Sequence, residues 1–238
     1  MSTLIAGHRG VAGTHPENTL VSIQAAKKAG LTWVEVDIQP TRDDILVVCH
    51  DHTINRCSNG TGRIDELTFE QLSQFDFGSW KAPQFAGERL MAFDELLNYC
   101  QTNQLSINIE IKVDKHDAEH VVALLAERLN ASEIDRNQLL ISSFSREVML
   151  ALYEAKLGVR LGVLGNRLNN RLLKTIDEVE AFSCHLNYRW LTQTHIRTLR
   201  ERGLQIWCYT VNNPKSFKHL QQVDAIFSDY PQRFMNLV

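Results

Sequence analysis

A short apolar run near the start of the chain, Thr3-Leu4-Ile5-Ala6, is bounded by Gly7 and followed at once by His8 and Arg9. The run reads as a buried strand. A titratable ring and a guanidinium therefore stand just past its C-terminal end, with Gly10 and Gly13 leaving flexible backbone behind them. Similar placements recur. In TWVEVDI the two-residue period of a strand points Glu35 and Asp37 to one face, and in SINIEIK it does the same for Glu110 and Lys112. His50 and Asp51 close the apolar run ILVVC. Each pair alone fits a solvated strand face. Three carboxylates, two histidines, an arginine and a lysine at strand ends are not explained that way, because buried acids need a cationic partner or a metal. Glu35, Asp37 and Glu110 are hard oxygen donors, suited to Mg²⁺ or Ca²⁺ rather than zinc or copper. Arg9 and Lys112 suit a phosphate. His8 and His50 suit proton transfer near neutral pH. A divalent ion and two cations around one phosphate, flanked by two histidines, make a phosphodiester-cleaving arrangement.

The elements that must position these groups alternate along most of the chain. After the first strand, Glu17–Gly30 reads as a helix, and TWVEVDI as a strand with DILVVCH as its hairpin partner. Helix FDELLNYCQ and strand SINIEIK follow, then helix HDAEHVVALLAERL, strand QLLISSF, helix REVMLALYEA, strand VRLGVL and helix NNRLLKTID. Strand VEAFSCH, helix TQTHIRTLRERG, strand LQIWCYTV, helix PKSFKHLQQ and strand AIFSD complete the series. Setting the hairpin strand aside leaves eight strands, which predicts a parallel sheet closed into a (β/α)8 barrel. An open doubly wound sheet is the alternative, and no G-x-G-x-x-G follows any strand to support it. Residues 51–90, with turn-rich SNGTG, helix-like LTFEQLSQFDF and GSWKAPQFAGERL, read as an insertion on the same face as the strand ends. The expectation is one barrel domain over 1–238.

The chain has 238 residues, 44% hydrophobic and 22% charged, with a formal net charge of -3. This is enough to bury a sizeable core. The charge balance argues against a nucleic-acid partner, and no run of residues suits a bilayer span or a signal peptide. Five scattered cysteines with no C-x-x-C pair favour a reducing compartment over a zinc cluster. A cytoplasmic protein without stable membrane association is expected.

The motifs HRG (8–10), PENT (16–19), EVD (35–37), HD (50–51), EIK (110–112), SF (143–144), W-x-x-x-VN (207–212) and SDYP (228–231) resemble, in order, those of the glycerophosphodiester phosphodiesterase family, close to its compact cytosolic bacterial members. The resemblance implies a TIM barrel with a small insertion after the HD motif. It also implies hydrolysis of glycerophosphodiesters, such as glycerophosphocholine or glycerophosphoethanolamine, to glycerol 3-phosphate and an alcohol. In the implied mechanism glycerol's 2-hydroxyl attacks phosphorus and water then opens the cyclic phosphate. His8 and His50 would be the general base and acid. Glu35, Asp37 and Glu110 would hold a divalent cation, Mg²⁺ or Ca²⁺, and Arg9 and Lys112 would contact the phosphate. Phe144 and Trp207 look like walls near the glycerol or the leaving group, and Glu17 and Asn18 like supports. Departures are small. Ser228 stands where the family often has Thr, Met91-Ala92 where it has Pro-Thr, and Asp44 where the hairpin turn commonly has Gly.

His185 is the other histidine to watch, because it ends a strand. The remaining histidines read as surface residues, Trp33 and Trp190 as packing residues, and the cysteines as small buried hydrophobes. Two rival readings remain. A phosphoinositide- or phospholipid-cleaving barrel would want exposed apolar residues at the rim, which Phe75, Phe77, Trp80 and Phe85 could supply. A non-catalytic barrel binding glycerol phosphates would have no need of the two histidines.

Overall fold

The structure, a computed structural model, describes residues 3–235. Nine strands form one sheet: β1 (Leu4–His8), β2 (Trp33–Pro40), β3 (Leu46–Val48), β4 (Ser106–Ile111), β5 (Leu139–Ser143), β6 (Arg160–Gly165), β7 (Ser183–Asn187), β8 (Gln205–Tyr209) and β9 (Ala225–Ser228). All but β3 are parallel, and the pairing of β1 with both β2 and β9 closes them into an eight-stranded barrel. β3 runs antiparallel to β2 as its hairpin partner, and Asp44 takes the turn at φ 59°.

Helices α1 (Leu20–Lys28), α3 (Phe93–Thr102), α4 (Ala118–Ala131), α5 (Arg146–Ala155), α6 (Asn170–Glu178) and α7 (Gln193–Glu201) fall between barrel strands, and the short α2 (Phe69–Leu72) lies in the segment after β3. The aliphatic outer face of the barrel packs on these helices, with Ile38, Ile107, Ile141 and Ile206 meeting Ile23, Leu96, Leu125 and Leu199 in one continuous core. Inside the barrel a separate cluster of Ala6, Leu140, Trp207, Ala225 and Phe227, with Leu4 and Trp33, plugs the lumen. His185 belongs to this layer, stacked on Trp207 at 5.4 Å with its ring hydrogen-bonded to Ser183. Gly162 makes room for it, since a Cβ there would lie 2.6 Å from the imidazole. Burial alone pushes the His185 pKa down to about 3, so the ring is a neutral packing group rather than a member of the active rim. With the lumen filled, a site can form only above it, at the C-terminal ends of the strands.

Three expectations about helices change. α1 begins at Leu20, not Glu17, because Thr19 caps it by accepting from the Ser22 N–H, while buried Asn18 takes φ 58°. LTFEQLSQFDF gives only α2, because the Asp76 carboxylate gathers the N–H groups of Gly78, Ser79 and Gly87 and turns the chain. The segment read as helix PKSFKHLQQ forms two short 3-10 turns, Pro214–Ser216 and Leu220–Gln222, with Phe217 buried between them. α3 starts at Phe93, and its N-cap position, Ala92, makes no side-chain cap, which is where the Met91-Ala92 departure falls.

The segment after β3 has its own small core of Val47, Cys49, Ile54, Ile64, Leu72, Phe77 and Leu90. Of its four rim aromatics only Trp80 is exposed; Phe77 is in this core, Phe75 packs against it and Phe85 is half-buried beside His15.

Candidate active site

Strand register builds the site. In the barrel His8 lies beside Glu35, and Asp37 beside Glu110. The period-two faces of β1, β2 and β4 thereby bring one imidazole and three carboxylates to the same inner rim. Glu35, Asp37 and Glu110 are buried and each offers an oxygen within 4.8 Å of the others. Beyond the end of β4, Lys112 is tied back by donating its N–H to Ile38 O, and its ammonium meets Glu110 and, at 3.1 Å, Asp37 Oδ1.

The loop after β1 supplies the second cation. Arg9 sits at φ 50°, a strained conformation for a non-glycine residue, which turns its N–H onto Glu35 Oε2 at 2.9 Å. Gly10 follows at φ 84°, where a Cβ would lie 2.4 Å from Ser22 Oγ. The Arg9 side chain lies 3.3 Å from Asp37 and donates to Glu17 at 2.6 Å. Asn18 donates to the same carboxylate oxygen that Arg9 approaches, Asp37 Oδ2, at 2.9 Å. Glu17 thus contacts Arg9, and Asn18 contacts Asp37.

His50 comes from the hairpin. Cys49 N–H bonds to Asp37 O, and buried Gln39 donates to the carbonyls of both Cys49 and Asp51, so the HD pair is fixed against β2. Each histidine is oriented by an acid: His8 Nδ1 to Asp229 at 2.6 Å, and His50 Nδ1 to Asp51 at 2.7 Å. Both Nε2 atoms are left for the cleft. Asp229 is held by Asn212, which donates to its carboxylate and accepts its N–H. Asp51 is held by Arg56, whose guanidinium makes two bonds to Asp51 and two to Glu17 at 2.7–3.0 Å. Arg56 joins the two supporting acids.

The electrostatics divide these groups. Burial alone would raise the pKa of Asp37, but the charges of Lys112 and Arg9 override it and hold the carboxyl well below its usual range. Burial, followed by the charge of Asp37, pushes Glu35 up. A pocket with one carboxylate held ionised and its neighbour pushed toward protonation is short of positive charge. Asp37 Oδ1 is buried, with the Lys112 ammonium 3.1 Å away. The donor set is all-oxygen and anionic, and it fits a hard divalent cation. Burial lowers the pKa of His8, but Glu35 and the Asp229 bond outweigh it and the net shift is upward. Burial, aided by Arg9 and Lys112, lowers that of His50 against the pull of Asp37.

These groups open on a cleft of about 390 Å³ lined by His8, Arg9, Glu35, His50, Glu110 and Lys112 on one side and by Phe144, Asn187, Tyr188, Arg189 and Tyr209 on the other. Phe144 is exposed and lines the cleft. Trp207 does not. It is 2% exposed, donates to Gln205 and lies in the plug one layer below the cleft. The wall position on β8 belongs to Tyr209, edge-on to Phe144. Sequence reasoning had given no role to Asp229, Asn212, Asp51, Arg56 or Tyr209. Asp229, Asn212 and Asp51 are defining positions of motifs already noted, Tyr209 falls at a variable position of W-x-x-x-VN, and Arg56 lies in none of them.

Residues 8–233 match the model of the glycerophosphoryl diester phosphodiesterase family. The chain belongs to this family. Among relatives, YhdW of Bacillus subtilis is 31% identical over 235 residues, covering 95% of this chain and 94% of its own. A glycerophosphodiester phosphodiesterase of Caldanaerobacter subterraneus is 28% identical, covering 100% and 98%. A phosphodiesterase of Oleispira antarctica, solved in complex with the product sn-glycerol-3-phosphate, superposes with a TM-score of 0.92 at 25% identity, over 99% of this chain and 96% of that one. Family membership makes the protein a phosphoric diester hydrolase with a TIM barrel fold. Among the described residues no helix is long and apolar enough to cross a membrane.

Proposed function

We propose that the protein hydrolyses glycerophosphodiesters, such as glycerophosphocholine and glycerophosphoethanolamine, to sn-glycerol 3-phosphate and the alcohol. The carrying observation is the junction of a buried three-carboxylate cluster with two Asp-oriented histidines in one cleft. The product bound by the Oleispira relative supports the same chemistry. Glu35, Asp37 and Glu110 would hold the divalent cation, Mg²⁺ or Ca²⁺, which when bound supplies Lewis-acid neutralisation of phosphoryl charge. Arg9 and Lys112, already fixed by Glu17, Asp37 and Glu110, lie at the cleft to position the phosphate without reorganisation. Asp229 and Asp51 keep each Nδ1 protonated, so that Nε2 is the nitrogen that accepts or gives a proton. In the reaction one Nε2 takes the proton of glycerol's 2-hydroxyl as its oxygen bonds to phosphorus. The other protonates the alcohol oxygen as its bond to phosphorus breaks, and water then opens the cyclic phosphate. We read the site as cytoplasmic, in a single barrel domain without stable membrane association or a nucleic-acid partner. Of the four candidate rim aromatics only Trp80 is exposed, Phe77 being buried and Phe75 and Phe85 half-buried, which supports a water-borne substrate over a lipid one.

The test is to assay glycerol 3-phosphate released from glycerophosphocholine and glycerophosphoethanolamine beside cleavage of the corresponding intact phospholipids. Release from both deacylated diesters is expected, with kcat/KM differing by roughly tenfold or less between them. Faster cleavage of an intact phospholipid would contradict the reading.

A further inference from the structure

The cleft does not end at the groups that act on phosphorus. Phe144 and Leu164 line it and also line a second cavity of about 420 Å³ between the loops that follow β5 and β6. The charged residues of that second cavity are arginines alone: Arg146, Arg167 and Arg171. Glu178 neutralises Arg146 at 2.7 Å. Arg167 and Arg171, together with Arg189 at the cleft itself, have no carboxylate within ion-pair distance among the described residues. The guanidinium of Arg167 lies 3.5 Å over the ring of Trp190, which fixes its plane and leaves its N–H edge free. The acid whose charge Arg171 feels, Glu147, is exposed and already accepts from Ser145.

Barrel geometry says what meets this face. β7, which carries Arg189 in its following loop, is across the ring from β2, with three strands between them on one side through β4, β5 and β6. A diester arm that crosses the cleft from a phosphate held at β1, β2 and β4 runs toward Arg189 and the opening beyond Phe144. We propose that this face is an anion subsite for the alcohol arm, so that the preferred substrates are glycerophosphodiesters whose alcohol bears a second phosphate or a carboxylate. The inference rests on the reaction proposed above and adds its substrate class. The charged groups that a cationic alcohol such as choline meets on this face are of like sign, whereas an anionic one gains charge-assisted, fork-shaped hydrogen bonds.

The experiment compares kcat/KM for glycerophosphocholine and for 1,3-bis(sn-glycero-3-phospho)glycerol, at low and high ionic strength, in the native protein and in the double variant Arg167→Glu/Arg189→Glu. The native protein is expected to favour the second diester by about tenfold at low salt, with the preference shrinking as salt screens the face. The charge-reversed variant should lose or invert it, and Arg167→Lys/Arg189→Lys should keep part. Equal kcat/KM for the two diesters, or a preference indifferent to salt, overturns the inference while leaving the reaction standing. The salt titration needs no variant, so a misfolded variant does not protect the proposal. Release of glycerol 3-phosphate from neither diester overturns the reaction, and the subsite with it.

Discussion

Two parts of one rim are built on opposite plans. Around the ends of β1, β2 and β4, each cation faces an acid: Arg9 meets Glu17 and Asp37, and Lys112 meets Glu110 and Asp37. Each histidine has its carboxylate, and even the supporting acids are joined by Arg56. Around the ends of β5 to β8 the lining includes Phe144, Tyr188, Tyr209 and three arginines, Arg167, Arg171 and Arg189, that have no carboxylate within ion-pair distance among the described residues. The paired part is fixed before substrate arrives, as stabilisation of a transition state requires, because donors that must reorganise contribute less. The unpaired part keeps its hydrogen-bonding capacity for whatever the diester brings. On the proposed reading, chemistry resides in the first and choice of substrate in the second, and variants should separate along that line.

The largest effect is expected at the histidines. His8→Ala or His50→Ala removes a proton-transfer step worth about 10²–10⁴-fold in kcat while the phosphate's cations remain, so KM should change little. The double variant should be far from additive. Arg9→Ala or Lys112→Ala should raise KM as well. A p-nitrophenyl diester, whose leaving group needs little protonation, should rescue only the variant lacking the acid, which family resemblance assigns to His50. Equal rescue of both would break the division of labour, and a near-normal kcat in either single variant would break the mechanism.

Arg56 sharpens the comparison, because it contributes no group to the cleft lining yet ties Asp51 to Glu17. Arg56→Ala should lower kcat by roughly 10–100-fold, as loss of an orienting partner does elsewhere, with Arg56→Lys recovering part. An Arg56→Ala enzyme with native kcat would show that the paired part does not depend on its outer ties.

The smallest effect is on stability in acid. The hydrogen bonds of Arg56, ahead of an opposing burial effect, hold the Asp51 carboxyl at about 2 against its ordinary 3.8. A depressed carboxylate contributes stability that is complete above its unfolded value and fades as pH falls through its folded one. The stability difference between native protein and Arg56→Ala, no more than about 1 kcal/mol for a partly solvated pair, should therefore be constant above pH 5, shrink as pH falls toward 2 and be lost below it. Denaturant midpoints across that range measure it. A difference that persists undiminished at pH 2 would assign the contribution to packing rather than charge.

How far the sequence alone reached follows from what sets each position. Glu35, Asp37 and Glu110 were legible because a strand's period of two fixes their face and the register of β2 on β4 does the rest. The same rule misled at Trp207. It lies on the inner face of β8 but one repeat too deep, where the barrel is filled, and Tyr209 two residues on is the side chain at the rim. Sequence periodicity gives the face of a strand and not the depth within a barrel. Asp229 was beyond such reasoning, since barrel closure brings it to His8 across 221 residues. Arg56 was beyond it as well, because its place depends on the fold of the segment after β3. The helix expected over PKSFKHLQQ failed because burial of Phe217 there overrode local helical pattern.

The central claim is that the buried carboxylates at β2 and β4 serve the reaction through a hard divalent cation. It is tested most directly by stripping the protein with EDTA, assaying glycerol 3-phosphate from glycerophosphocholine, and adding metals back singly. Turnover should be abolished by EDTA and restored better by Mg²⁺ or Ca²⁺ than by Zn²⁺. Full turnover in thoroughly metal-free protein would contradict the role given to Glu35, Asp37 and Glu110.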